Sequence, residues 1–248
     1  MPEITKSKYL VQAGWSDVPH LDEQTKAELS ESAEDHLRDA RTAGVPSLGA
    51  GAIFPIPLDE ILIDPFPIPD HWWRCYGLDV GWNRTAAIWG AEDRDSGVLY
   101  LHTEHYMAKA VPAVHVAAIN ARGVWVPGVI DPASRFPGQK DGKRLIIEYQ
   151  ALGLNLHMAE NSREAGLQMV LNRLATGRLR VFRSCRNWQA EYRLYRRNPE
   201  GKVIKAHDHL MDGTRYLVIS GLSLAKQKPP DVMIQQVAQS GTLTRAGY

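Results

Sequence analysis

Two apolar runs in this chain each end in an aspartate, and a third acidic cluster opens a helix-like stretch. The first run is Tyr76-Gly77-Leu78-Asp79-Val80-Gly81-Trp82, and the second is Val129-Ile130-Asp131-Pro132. A carboxylate within an apolar strand is costly to bury unless it is paired or bound to a cation. Gly77 and Gly81 flank Asp79 and leave room for a ligand or another backbone to approach. In open α/β sheets, ligands gather at the carboxyl ends of strands, where both aspartates would stand. The bland alternative for each is an aspartate that starts the next turn, and at Asp131 the following proline favours that too. The third cluster is His207-Asp208-His209-Leu210-Met211-Asp212-Gly213-Thr214-Arg215-Tyr216. Helical spacing puts Asp208 and His209 on the face of Asp212. Asp208 opens the helix, so it either caps it or joins a site. Asp212 lies one turn in, where capping is unavailable, and is the better ligand. Three converging carboxylates suit hard divalent cations, magnesium or manganese, and His209 could add a ligand or an outer-shell donor. Two such ions about 4 Å apart stabilise both the attacking and the leaving oxygen in phosphodiester cleavage.

Other chemistries find little support. The sequence holds no GxSxG, no HExxH, no zinc-type Cys/His spacing and no GxxxxGK[ST] phosphate loop. Cys75 and Cys185 are isolated and read as buried thiols. No apolar stretch reaches the length of a membrane span, and the first ten residues lack the core of a signal peptide, so a cytoplasmic protein is expected.

The elements that must position these residues follow from periodicity. Strands are expected over Cys75–Val80, Thr85–Ala91 and Val98–Tyr106, with a turn at Asp93–Gly97, so the three form an antiparallel meander. Further strands are expected over Val124–Ile130, Asn155–Met158 and Arg180–Phe182. Helices are expected over Pro112–Arg122, Arg144–Leu152, Ala165–Thr176, Asn187–Leu194 and Asp208–Ser220. This is an α/β layout, a mixed central sheet with helices on both faces. Before it, Leu21–Gly44 reads as an amphipathic helix capped by Asp22 or by Ser16 and Asp17, and Pro46–Pro69 as a proline-rich loop with short edge strands at most. The expected division is therefore an N-terminal helical and loop extension over 1–70, a domain over 71–222 and a polar, loosely ordered tail over 223–248.

Charge divides the same way. Residues 1–70 carry 5 Lys/Arg against 13 Asp/Glu, and residues 71–248 carry 24 against 15, so an acidic leader precedes a basic domain that could meet a polyanion. Arg178, Arg180, Arg183, Arg186, Arg193, Arg196 and Arg197 crowd one stretch with Phe182, Trp188, Tyr192 and Tyr195. Arg178, Arg180, Arg196 and Arg197 are candidate phosphate contacts, with Lys202 and Lys205 from an expected hairpin at Arg197–Lys202. A solvated basic face with aromatic anchors in the core accounts for the stretch equally well.

Taken in order, these residues resemble the nuclease region of the large terminase subunit of tailed bacteriophages. The resemblance rests on Tyr76–Trp82 with Thr85, Val129–Ala133, Ala159-Glu160-Asn161-Ser162, Ala175–Leu179, Leu194–Arg197 and Asp208–Tyr216, and it spans roughly residues 70–220. It implies a ribonuclease-H-like fold and a two-metal endonuclease that cuts concatemeric phage DNA during genome packaging in the cytoplasm of the infected bacterial host. It implies metal ligands at Asp79, Asp131 and Asp212 with His209 and Asp208 adjacent, and double-stranded DNA, the terminase small subunit, the portal protein and an ATPase domain as partners. Residues 7–60, with Gly14-Trp15 and Ala40–Pro46, resemble the stretch joining the family's ATPase domain to the nuclease. The ATPase motifs themselves are missing. Gly213 stands where the family more often has alanine, a change expected to loosen the helix by about 1 kcal/mol. Two other readings stay open: a docking module of the packaging motor that cuts little, and a junction resolvase or transposase on the same fold.

Overall fold

The computed structural model describes residues 15, 22–31, 51–131, 145–160, 162–198 and 201–230. They fall into two units, one drawn from Met1–Pro57 with Arg196–Ile204, the other from Leu58–Tyr195 with Lys205–Tyr248. In the first, helix α1 (Glu23–Glu31) is capped by Asp22, whose carboxylate accepts the Thr25 N–H at 2.7 Å. The expected helix beyond Glu31, the Ala40–Pro46 stretch and the tail from Asp231 onward lie outside the described residues. The expected hairpin at Arg197 is present. Arg197 bridges Val203, and the Asn198 N–H donates to the Lys202 carbonyl at 2.8 Å.

In the second unit the meander is built as its periodicity requires. Strands β2 (Trp73–Asp79), β3 (Thr85–Asp93) and β4 (Val98–Met107) pair antiparallel. The turn between β3 and β4 is held by Asp93, whose carboxylate accepts the Asp95 N–H at 3.1 Å and the Ser96 hydroxyl at 2.6 Å. Short strands β1 (Leu62–Ile63), β5 (Gly128–Ile130), β6 (Leu156–Met158) and β7 (Leu179–Phe182) complete a seven-stranded mixed sheet in the order β1-β7-β4-β3-β2-β5-β6. β5 is shorter than the expected Val124–Ile130. Val126 N–H closes a turn onto the Gly123 carbonyl at 3.1 Å, and Pro127 lacks a donor, so pairing begins only at Gly128. β1, preceded by α2 (Leu58–Ile61), lies parallel to β7, so part of the proline-rich stretch joins the sheet as an edge strand.

Helices cover both faces. α3 (Pro112–Asn120) and α4 (Leu145–Ala151) bury Val116, Ile119, Ile146 and Tyr149 against Tyr76, Leu78, Ala87 and Trp89. The alternate residues of β2 and β3 face α7 (His209–Tyr216), which is flanked by α5 (Arg163–Ala175) and α6 (Arg186–Leu194). α7 passes into a π-helical turn over Leu217–Gly221 rather than continuing regularly to Ser220. The segment after it is not a loose tail at its start, because Lys226 bridges Arg74 antiparallel and both of their backbone hydrogen bonds form. Cys75 and Cys185 are buried free thiols. None of the described helices is long and apolar enough to cross a membrane.

Candidate functional site

β2 and β5 run parallel with Leu78 opposite Ile130, so the residues that follow, Asp79 at the end of β2 and Asp131 just after β5, share one rung at the end of the sheet. The Asp131 N–H donates to the Leu78 carbonyl at 3.3 Å and continues the ladder by one bond. Adjacent strands stand about 4.8 Å apart, so the two aspartates are brought together by register alone. The apolar runs that bury β2 and β5 thus deliver both carboxylates to one end of the sheet.

α7 supplies the rest by crossing that end at close range. A methyl at Gly77 would overlap the Gly213 carbonyl oxygen outright, so β2 and α7 touch backbone to backbone. The backbone that Gly77 was expected to admit is therefore that of α7. Gly213 serves the same contact from the other side, since its own Cβ would lie 3.3 Å from the Gly77 carbonyl oxygen. Its absence of a side chain is a packing feature as well as a cost in helix propensity.

This approach brings His209 Nδ1 to 2.7 Å from Asp79 Oδ2. Burial pushes the Asp79 carboxyl up, His209 pulls it down, and the Asp212 and Asp131 carboxylates push it up again. His209 is raised in turn, mainly by its hydrogen bond to Asp79. Asp212 is held by Arg215, with Nε and Nη2 each 3.2 Å from Oδ1, and Arg163 Nη2 lies 3.8 Å from Oδ2. Arg215 is 0% exposed, and its stem fills the space left open by Gly166 on α5. Asp208 occupies the N-cap position but makes no capping hydrogen bond; burial and the Asp212 charge push its carboxyl up. Lys205 is close enough to Asp208 to oppose that shift.

Among the described residues no three His, Cys, Asp or Glu side chains form a ready-made ion cage. The donors nonetheless fit divalent cations. The charges of Asp131 and Asp212 both act on Asp79 at one end of the sheet, His209 lies against Asp79, and Arg215 and Arg163 lie against Asp212. Carboxylate oxygens are the donors that hard divalent cations prefer.

The basic residues divide. Lys205 is close enough to Asp208 for its charge to act on that carboxyl, while Arg178 and Arg180 lie at the opposite end of the sheet. Arg180 shares a rung with Tyr100, Ala91 and Arg74, five residues before Asp79, and its guanidinium donates to the Glu60 carbonyl. The Arg178 carbonyl accepts the Leu99 N–H at 2.9 Å, one rung further away. Arg196, Arg197 and Lys202 belong to the other unit, where the Arg197 guanidinium donates to the Gly201 carbonyl at 2.9 Å. Pro132, Ala133 and Asn161 lie outside the described residues.

Reading the sequence missed Arg163, Arg215, Glu191 and Tyr106. Arg215 had a signal, since it stands three residues after Asp212 on the same helical face. Glu191 is 2% exposed and accepts the Tyr106 hydroxyl at 2.7 Å and the Leu210 N–H at 2.6 Å. Burial pushes its carboxyl up and these donors pull it back. No local pattern foretells contacts across 85 and 19 residues.

No family model matches the chain. It is 31% identical over 228 residues to the terminase large subunit of Enterobacteria phage LP7, an alignment covering 86% of this chain and 46% of that protein. The chain thus spans under half the length of the relative it matches. Its fold matches the nuclease domain of the P22 large terminase with a TM-score of 0.67 and 28% identity, covering 73% of this chain and 97% of that domain. The large terminase nuclease of thermophilic phage G20c with bound magnesium shares the fold at 18% identity and a TM-score of 0.51, covering 69% and 98%.

Proposed function

We propose, from the premise that this chain is homologous to phage terminase large subunits and carries the ribonuclease-H-like fold of their nuclease domain, that it is a metal-dependent endonuclease acting on DNA. The observation that carries the reading is the common rung of Asp79 and Asp131, onto which α7 brings Asp212. Asp79, Asp131 and Asp212 would hold two magnesium or manganese ions, with His209 and Asp208 as adjacent donors. A related nuclease was solved with magnesium bound, which favours the same class of ion here. Bound there, two such ions supply an activated water and a counter-charge for the leaving 3′ oxygen.

The chain's own residues do the positioning. Asp79 and Asp131 are fixed by the β2–β5 ladder, so their carboxylates need only side-chain rotation to meet a ligand. His209 holds Asp79 through Nδ1, and Arg215 and Arg163 hold Asp212. Lys205 adds positive charge near Asp208, suited to a phosphate. The substrate is double-stranded DNA, and the biological setting is cutting of concatemeric phage genomes during packaging in the host cytoplasm. There the nuclease works with an ATPase domain, the small subunit and the portal.

Manganese-dependent nicking of plasmid DNA tests this directly. Asp79→Asn and Asp131→Asn are expected to reduce nicking to background while circular dichroism shows the fold intact. Full nicking by Asp79→Asn overturns the assignment.

A further inference from the structure

The first turn of α7 presents backbone N–H groups that have no partner within the helix, and a residue in the N-cap position ordinarily accepts one of them. Asp208 holds that position and does not cap. The acceptor comes instead from α6, where Glu191 takes the Leu210 N–H at 2.6 Å and also faces the Met211 N–H. We propose that Glu191 is the positioning residue of the metal site, capping α7 in place of Asp208 so that the carboxylate of Asp208 can face the ions and His209 and Asp212 are held in register with Asp79. The inference rests on the nuclease reading above.

Two further contacts show that this cap is built rather than incidental. The Tyr106 hydroxyl on β4 donates to the other Glu191 oxygen at 2.7 Å and fixes the side chain's direction. On the same strand, Glu104 caps α6 itself, accepting the Asn187 N–H and the Trp188 N–H at 2.9 Å each and the Asn187 side-chain amide at 2.7 Å. β4 therefore sets α6, and α6 sets α7. A carboxylate at a helix N-terminus also gains from the helix dipole. A side chain 2% exposed reaches no substrate, so Glu191 acts through the residues that flank its hydrogen-bond partner.

The test measures manganese binding by calorimetry together with the manganese dependence of nicking, at a temperature where circular dichroism shows every variant folded. Glu191→Ala is expected to weaken manganese binding by about 10-fold or more, the usual penalty for losing an outer-shell partner. Glu191→Gln, whose amide oxygen still accepts the Leu210 N–H, is expected to restore most of it. A role confined to folding would lower Tm and leave the affinity of the folded protein unchanged. Folded Glu191→Ala with wild-type manganese affinity overturns the proposal. Should Glu191→Ala fail to fold, Tyr106→Phe loosens the same carboxylate and is expected to give a smaller loss of affinity; unchanged affinity in that variant overturns it equally. Wild-type protein that neither binds manganese nor nicks DNA defeats the nuclease reading itself, an outcome distinct from either variant result.

Discussion

The two faces of the central sheet differ in what they bury beside their apolar contacts. On one, Tyr76, Leu78, Ala87 and Trp89 meet α3 and α4 through an apolar core, and Tyr76 stacks on Trp89 with ring centroids 5.3 Å apart. On the other, Gly77 meets Gly213 backbone to backbone, and buried apolar residues such as Ile88, Trp188, Leu210 and Met211 share the space with buried charged groups, Glu191, Asp208, Asp212 and Arg215. An apolar face gains stability in proportion to the area it buries. The buried charged network within the second face gains little net stability, because desolvation offsets the pairing. It does hold its members in fixed directions, and a site that must gather carboxylates around cations needs that more than it needs area. The contrast runs residue by residue along β2, since Gly77 and Leu78 are neighbours that point to opposite sides.

That alternation offers the sharpest way to break the comparison. Gly77→Ala forces α7 away from β2, and no rotamer relieves a clash between a Cβ and a backbone carbonyl. It is expected to cost about 4 kcal/mol or more and to abolish manganese-dependent nicking. Leu78→Ala, one residue away on the apolar face, is expected to cost about 3 kcal/mol through the cavity it leaves while the folded protein still cuts. Urea unfolding and plasmid nicking on both variants measure the pair. Equal loss of cutting in both would show that the two faces do not divide the work.

A smaller effect comes from a polar pair on the apolar face. His105 Nε2 on β4 and His115 Nδ1 on α3 lie 2.9 Å apart, and burial pushes both down, with His105 pushed down to about 4. The His115 and Arg122 charges push His105 the same way. A histidine whose folded pKa is depressed binds its proton more readily when unfolded. Its contribution is therefore complete above about pH 6.5 and is lost as pH falls from there towards about 4. Urea midpoints measured between pH 7 and pH 4 should fall, and the fall should be shallower in His105→Gln. An identical slope in that variant would remove His105 from the account.

What could be read beforehand follows from how local each signal is. Asp79 and Asp131 were legible because an apolar run that stops at a carboxylate is a feature of five or six consecutive residues. The meander was legible for the same reason, from alternation within each strand and the Asp93–Gly97 turn between two of them. The placement of Arg178 and Arg180 was not, because it depends on β7 pairing in parallel with β4, a register set by residues some 80 positions apart. The true cap of α7 was hidden likewise: Asp208 had the right type in the right place, and Glu191, the residue that caps, belongs to another helix. Gly213 was read through helix propensity alone, since nothing near it announces that Gly77 lies against it.

Gly213→Ala therefore carries the smallest and most discriminating prediction. Helix propensity favours alanine by about 1 kcal/mol. Against that, the new Cβ would stand 3.3 Å from the Gly77 carbonyl oxygen and 3.4 Å from Ile88 Cγ2, tight contacts that a few tenths of an ångström of helix movement relieve. The two effects nearly cancel, so Tm is expected to stay within about 4 °C of wild type. The same contact is thus intolerant from the strand side and tolerant from the helix side. On β2 the added methyl points into a carbonyl, whereas on α7 it points past one. A loss in Gly213→Ala as large as that in Gly77→Ala would mean that α7 cannot shift at all. The α7 face would then be rigid because of its backbone contact, and the caps and ion pairs around α7 would be secondary to it.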